Sequence, residues 1–257
     1  MKQSTIESKS EYSHMAAVGS ETRRGNFILQ CAGALISPNF VLTAYTCYIH
    51  PNKNLKHVSP NIVRLGTPNI KNQHNTAINI GIKRIIKHPM QKDIYNNLAL
   101  VELSNAVKFS QFIHPICLST VNESPYPYIF VTGWNFRSNK NINKPFISTL
   151  QSANIHYIHK NCSANKEISK RAFYQQMYCS DNISIDGIAS CPSKCGGTLQ
   201  FNLNVSQNKG TFYKLWGIIS QPNQHSENTC DSNEVIYIDI KPYLNWIERN
   251  VWPEYFM

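Results

Sequence analysis

The chain has 257 residues, 42% of them hydrophobic and 16% charged, which provides for a well-buried core and argues against a disordered polypeptide. No apolar run approaches the ~20 residues that cross a bilayer, so no membrane span is expected. The formal net charge of +10 favours contact with polyanions such as sulfated glycans, acidic lipids or acidic proteins. No zinc-finger spacing, Gly-rich phosphate loop or nucleic-acid motif is present, so neither a metal, a cofactor nor a nucleic acid is expected as a partner.

In chain order, the opening MKQSTIESKSEYSH lacks the apolar core of a signal peptide. A leader is therefore expected to lie outside this chain, or the chain to begin at a processing boundary. GALISPNFVLTAY, AINIGIKRII, NLALVEL, YIFVTGW and KLWGIIS follow as short apolar runs separated by Asn, Lys, Pro and Ser clusters, the pattern of β-strands. The polar stretch from Arg137 to Lys144 is expected to be an exposed loop. Only PYLNWIERNVW has helical spacing, with Leu244, Ile247 and Val251 at i, i+3 and i+7. Many short strands and one terminal helix predict an all-β sandwich or barrel, and periodicity does not choose between them.

Eight cysteines exceed what a cytosolic protein usually keeps. The glycosylation sequons at Asn122, Asn182 and Asn204, with the less favoured one at Asn161, point the same way, towards a secreted glycoprotein. Two groups of cations stand out for polyanion contact: Lys83, Arg84 and Lys87, then Lys160, Lys166, Lys170 and Arg171. The bland alternative is a solvated surface with lysines spread over loops.

CPSKCGGTL, residues 191–199, resembles the C-x-G-D-S-G-G-P-L motif of trypsin-like serine proteases. CAGALISPNFVLTAYTC is similar to that family's C-G-G-S-L-I-S-x-x-x-V-L-T-A-A-H-C, and YNNLALVEL to its D-N-D-I-A-L-L-x-L. VTGW, WGIIS and IYIDIKPYLNWIE follow as further landmarks in the family's order. The resemblance covers residues 11–250. It implies two packed six-stranded antiparallel β-barrels with a C-terminal helix: about 11–120 for the first barrel, about 121–242 for the second, and 243–251 for the helix. EYSHMAAVG, IGIKRIIKHP and FSQFIHPICL are similar to the protease domains of insect clip-domain proteases.

The resemblance also shows where the chemistry departs. Serine proteolysis needs a hydroxyl nucleophile, an imidazole base and a buried carboxylate to orient the imidazole. The base position falls on Thr46, the carboxylate position on Asn97 and the nucleophile position on Cys195. A threonine hydroxyl accepts no proton near neutral pH, and the loss of the base is decisive. Lys194 stands where the family carries the aspartate that pairs with the new amino terminus after activation, and no I-V-G-G-like segment precedes Glu11. The oxyanion hole near Ser193 and Cys195 therefore lacks its usual means of organisation. In the specificity pocket, Ala189 replaces a substrate-selecting aspartate, Ser220, Gln221 and Pro222 replace the S-W-G wall, and Val235 falls on a pocket glycine.

The family's bridges correspond to Cys31–Cys47, Cys162–Cys179 and Cys191–Cys230, which leaves Cys117 and Cys195 as candidates for thiols outside any bridge. Cys117 matches a cysteine that usually bonds to an upstream regulatory segment. The expectation is a non-catalytic, secreted protease homologue. By resemblance it acts with other proteins of an innate-immune protease cascade of the prophenoloxidase and melanization type. The alternative is a residual hydrolase using Cys195, for which Lys194 lowers the thiol pKa and a displaced histidine such as His50 supplies the base.

Overall fold

The computed structural model describes residues 12–22, 25–49, 59–71, 76–92, 95–120, 129–134, 136–138, 148–155, 157–159, 177–180, 183–185, 188–192, 195–203, 212–221 and 235–256. Six strands close the first barrel: β1 (Met15–Glu21), β2 (Phe27–Leu35), β3 (Phe40–Thr43), β4 (Ile62–Leu65), β5 (Ile78–Lys87) and β6 (Ala99–Leu103), hydrogen-bonded in the order β1-β2-β3-β6-β5-β4. Strands β1, β3, β4 and β6 are buried almost throughout, so both of their faces are covered and the usual inside–outside alternation is lost, whereas β5 stays half-buried to exposed along its length. Ala16, Val18, Leu35, Val41, Val63 and Val101 fill the barrel interior. The alternate residues Ala34, Leu42 and Leu100 point outward and pack on Leu215, Ile218 and Ile238 of the second half.

The second half is built on β8 (Ile129–Gly133), β10 (Gln151–Ile155), β11 (Ile158–His159), β12 (Met177–Ser180), β15 (Thr198–Leu203), β16 (Phe212–Gln221) and β17 (Val235–Asp239). They run in the order β10-β8-β15-β16-β17-β12-β11, antiparallel throughout, and form an open curved sheet among the described residues. Ile129, Val131, Leu199, Phe201, Trp216 and Tyr237 make its core. The short strand β7 (Cys117–Leu118) joins this sheet by pairing in parallel with β16 at Lys214 and Leu215. A separate three-stranded sheet holds β9 (Phe136–Ser138), β13 (Ile183–Ile185) and β14 (Ile188–Pro192).

The chain closes on a 3-10 turn, Lys241–Tyr243, which carries Pro242 and leads into the helix α2 (Leu244–Val251). Ile247 and Val251 are buried, as the spacing predicts, while Leu244 is only half-buried. Tyr243, Ile247 and Val251 cap the inter-barrel cluster. Fully burying an apolar side chain of this size contributes roughly 1.5–3 kcal/mol. No described helix is long and apolar enough to cross a membrane.

A polar network also ties the halves together. The imidazole of His14 donates from Nε2 to Gln200 Oε1 at 2.7 Å, and Thr198 Oγ1 donates to the same oxygen at 3.1 Å. Gln200 Nε2 donates to Thr132 Oγ1 at 3.2 Å. Complete burial pushes the pKa of His14 down to about 4, so the ring is neutral in the folded protein at physiological pH.

Candidate functional site

Thr46 opens the four-residue helix α1 (Thr46–Ile49), which follows directly on β3. The Cys31–Cys47 disulfide fastens this helix to β2. Asn97 lies just before β6 and follows Asn96, the one described non-glycine residue with positive φ, at 49°. Asn96 is held in that conformation from two sides: its Nδ2 donates to the Met90 carbonyl at 2.8 Å, and Tyr243 Oη donates to its Oδ1 at 2.8 Å. The terminal segment thus buttresses the turn that delivers Asn97.

Cys195 sits on the turn into β15, where Gly196 has φ +82. A Cβ on Gly196 would stand 1.9 Å from the Ala32 carbonyl oxygen, and one on Gly197 would stand 2.7 Å from Ile219 Cδ1. Only glycine fits that approach. The turn is pinned by Ala32 N–H donating to the Cys195 carbonyl at 3.0 Å and by Gly196 N–H donating to the Ile219 carbonyl at 2.8 Å.

Thr46, Asn97 and Cys195 meet in one hydrogen-bonded group, with Ser220 as a fourth member. Asn97 accepts from the Thr46 N–H through Oδ1 at 2.8 Å. Its Nδ2 lies 3.0 Å from Thr46 Oγ1, 3.0 Å from the Ser220 carbonyl and 3.0 Å from Ser220 Oγ. Thr46 Oγ1 has one proton and two acceptors in reach, the Cys195 sulfur at 3.5 Å and the Ser220 carbonyl at 3.4 Å. Asn97 and Ser220 are fully buried, whereas Thr46 and Cys195 are half-buried.

Proton accounting decides what this group can do. A general base must accept a proton near neutral pH, and neither a threonine hydroxyl nor an asparagine amide does so. Thr46 Oγ1 already accepts from Asn97 and offers its own proton towards the sulfur, the reverse of what a base does for a nucleophile. The described histidines make their contacts elsewhere: His14 bonds Gln200, His88 packs edge-on against Tyr243 and Trp246, His114 lies against Phe109, and His159 lies beside Tyr157.

Ser220 is expected from the sequence only as a pocket wall; its role as a double acceptor for Asn97, through its carbonyl and its Oγ, depends on a pairing across 123 residues. It sits at an irregularity in the β16–β17 ladder, between Ile219 opposite Tyr237 and Gln221 opposite Ile236. Val235 is buried in the cluster of Ile219, Trp216 and Tyr237, so its branched side chain occupies apolar space beside β16. Ala189 lies on β14 opposite Ser184. For Ala189, Cys191 and Gln221 only the backbone is described.

Among the cysteines, Cys179 is disulfide-bonded with its partner outside the described residues, Cys117 is exposed, and neither Cys117 nor Cys195 is in a bridge. Ser193, Lys194, Pro222, His50, Cys162, Cys230, the sequon asparagines 122, 161, 182 and 204, and Lys160, Lys166, Lys170 and Arg171 lie outside the described residues. Of the first basic group, Lys83 donates to Glu102 at 2.6 Å and Arg84 bonds the other oxygen of that carboxylate. The Lys83 ammonium and Arg84 guanidinium hold Glu102 below the usual carboxylate pKa. Lys87 lies over the Tyr45 ring at 5.9 Å. Glu102 thus offsets one of the three positive charges of this group.

Compared with known proteins, the chain matches the Trypsin family over residues 5–247. It is 28% identical to the serine protease Hayan of Drosophila melanogaster, over 94% of this chain and 37% of Hayan. It is 27% identical to melanization protease 1 of the same fly, over 95% of this chain and 63% of that protein. It is 25% identical to CLIP domain-containing serine protease C9 of Anopheles gambiae, over 93% of this chain and 65% of that protein. The chain spans from about a third to just under two thirds of the length of these relatives.

Proposed function

This chain belongs to the trypsin family, and we propose that it is a non-catalytic member that acts by binding other proteins of an extracellular protease cascade of the prophenoloxidase and melanization type. The observation that carries the reading is the hydrogen-bonded group of Thr46, Asn97, Ser220 and Cys195, in which no described side chain accepts a nucleophile's proton. Ala189 in place of a carboxylate, and Val235 packed where the family keeps a glycine, support a pocket reshaped away from basic side chains.

The cascade assignment rests on relatives whose names carry melanization and the CLIP domain. Secretion is supported by eight cysteines and by bridges at Cys31–Cys47 and Cys179. Glycan contact through the basic surface is a secondary element of the proposal, because Glu102 already engages Lys83 and Arg84.

The test is a binding experiment. The purified chain is mixed in turn with an active clip-domain protease, its zymogen and a prophenoloxidase, and complexes are read by analytical ultracentrifugation. A stoichiometric complex with one of them, retained in Cys195→Ser, supports the proposal. No complex with any of the three, together with peptide cleavage by the chain itself, overturns it.

A further inference from the structure

Cys195 is hydrogen-bonded to a chain neighbour of each half of the Cys31–Cys47 disulfide. Its carbonyl accepts from the N–H of Ala32, the residue that follows Cys31, at 3.0 Å. Its sulfur accepts from the hydroxyl of Thr46, the residue that precedes Cys47, at 3.5 Å. Cys47 and Cys195 pack against the same two apolar clusters, and Cys31 is a buried member of one of them. A thiol and a bridge are therefore neighbours at the junction of the barrels. In a protein whose residue at this position is a serine, no such juxtaposition exists.

We propose that Cys31, Cys47 and Cys195 form one thiol–disulfide exchange unit. Cys195 loses its proton to solvent, and the thiolate attacks Cys31 Sγ. The Cys31–Cys47 bond breaks, its electron pair leaves on Cys47, and Cys47 takes up a proton. The product has a Cys31–Cys195 bridge and a Cys47 thiol. The step is an isomerisation and needs neither oxidant nor reductant.

Exposure sets the direction. Cys31 is 3% exposed on β2, whereas Cys47 is half-buried on the short helix α1, where a departing thiolate reaches water. Exchange moves the covalent tie from β2–α1 to β2–β15. It joins the two barrels and releases α1, with Thr46 and Cys47, from its anchor. A thiol presented there is available for exchange with an external disulfide at the rim of the site: the Cys47 thiolate bonds to one sulfur and the other leaves as a thiolate that takes up a proton. This inference does not depend on whether the chain is catalytic.

The test uses the full chain with Cys117→Ser, to remove the exposed thiol. It is held folded and oxygen-free at mildly alkaline pH for hours, the timescale of uncatalysed disulfide rearrangement. The sample is then quenched in acid, alkylated with N-ethylmaleimide in denaturant, and mapped by mass spectrometry. The expected result is a Cys31–Cys195 cross-linked peptide with alkylation at Cys47, both lost when Cys195→Ser is added. If Cys195 is the only one of the three alkylated, with Cys31–Cys47 intact, the proposal fails. It also fails if Cys47 is alkylated equally in the Cys195→Ser protein. A Cys47–Cys195 link would overturn the assigned direction of attack.

Discussion

Asn97→Asp places a carboxylate in a buried site built around an amide donor. In the wild-type protein, Asn97 Nδ2 donates towards three oxygens at 3.0 Å, one of them the carbonyl of Ser220. An aspartate turns that donor into an acceptor. Thr46 Oγ1 and Ser220 Oγ can rotate their protons towards it, and the Thr46 N–H still donates. The Ser220 carbonyl has no proton to offer and faces a negative oxygen.

Stranding a buried acceptor costs about 1–3 kcal/mol. Burying the carboxylate without an opposing cation adds to this and raises its folded-state pKa. We expect a loss of about 2–4 kcal/mol at pH 8, measured by urea unfolding. The pH dependence has a definite sign. The unfolded carboxyl ionises near pH ~3.9, and the folded one higher. The penalty therefore grows as pH rises from the unfolded value through the folded one, and shrinks in acid, where the introduced carboxyl is protonated and donates to the Ser220 carbonyl. A variant as stable as wild type at pH 8, or a gap that narrows as pH rises, would refute the reasoning.

Four further outcomes rest on the same structure. Because burial holds the folded pKa of His14 at about 4 against 6.5 for the unfolded ring, His14 costs nothing above pH 6.5, and its cost grows as pH falls to about 4. The stability difference between wild type and His14→Gln should therefore change by roughly 3 kcal/mol across that window, read from urea titrations at successive pH values. Gly196→Ala, with its Cβ 1.9 Å from the Ala32 carbonyl at φ +82, should lose more than about 3 kcal/mol or fail to fold. Gly81→Ala, where the nearest atom is Ser104 Oγ at 3.2 Å, should stay within about 1 kcal/mol when both glycine variants are unfolded in urea beside the wild type. Tyr243→Phe, which strands Asn96 Oδ1, should lower stability by about 1–2 kcal/mol by the same method.

Much of the first barrel is legible in the chain, because doubly buried strands leave apolar runs such as the GAL and FVLT that flank the turn in GALISPNFVLTAY. The terminal helix is legible in the spacing of Ile247 and Val251, and the family resemblance places Thr46, Asn97 and Cys195 in one site. Partnerships between distant polar residues are not legible. His14 and Gln200 meet across 186 residues, and only the folded register of β15 against β8 brings Thr132 to the same amide. A glutamine inside the apolar strand TLQFNL is the one hint, since a buried amide needs partners. The cluster Lys83, Arg84 and Lys87 reads as a free basic stripe in sequence. Consecutive strand residues normally face opposite ways, but the ladder irregularity between Ile82 and Arg84 brings Lys83 and Arg84 onto a single carboxylate.

The central claim is that the Thr46–Asn97–Cys195 group has no proton acceptor and does not cleave peptide bonds. The most direct measurement is incubation of the pure chain, beside its Cys195→Ala variant, with a broad peptide library between about pH 5 and 9, where an imidazole base would be active. The account predicts no cleavage above the buffer control in either protein, while a thiol-reactive probe still labels Cys195 in the first. Cleavage by the wild-type chain that disappears in Cys195→Ala would contradict it.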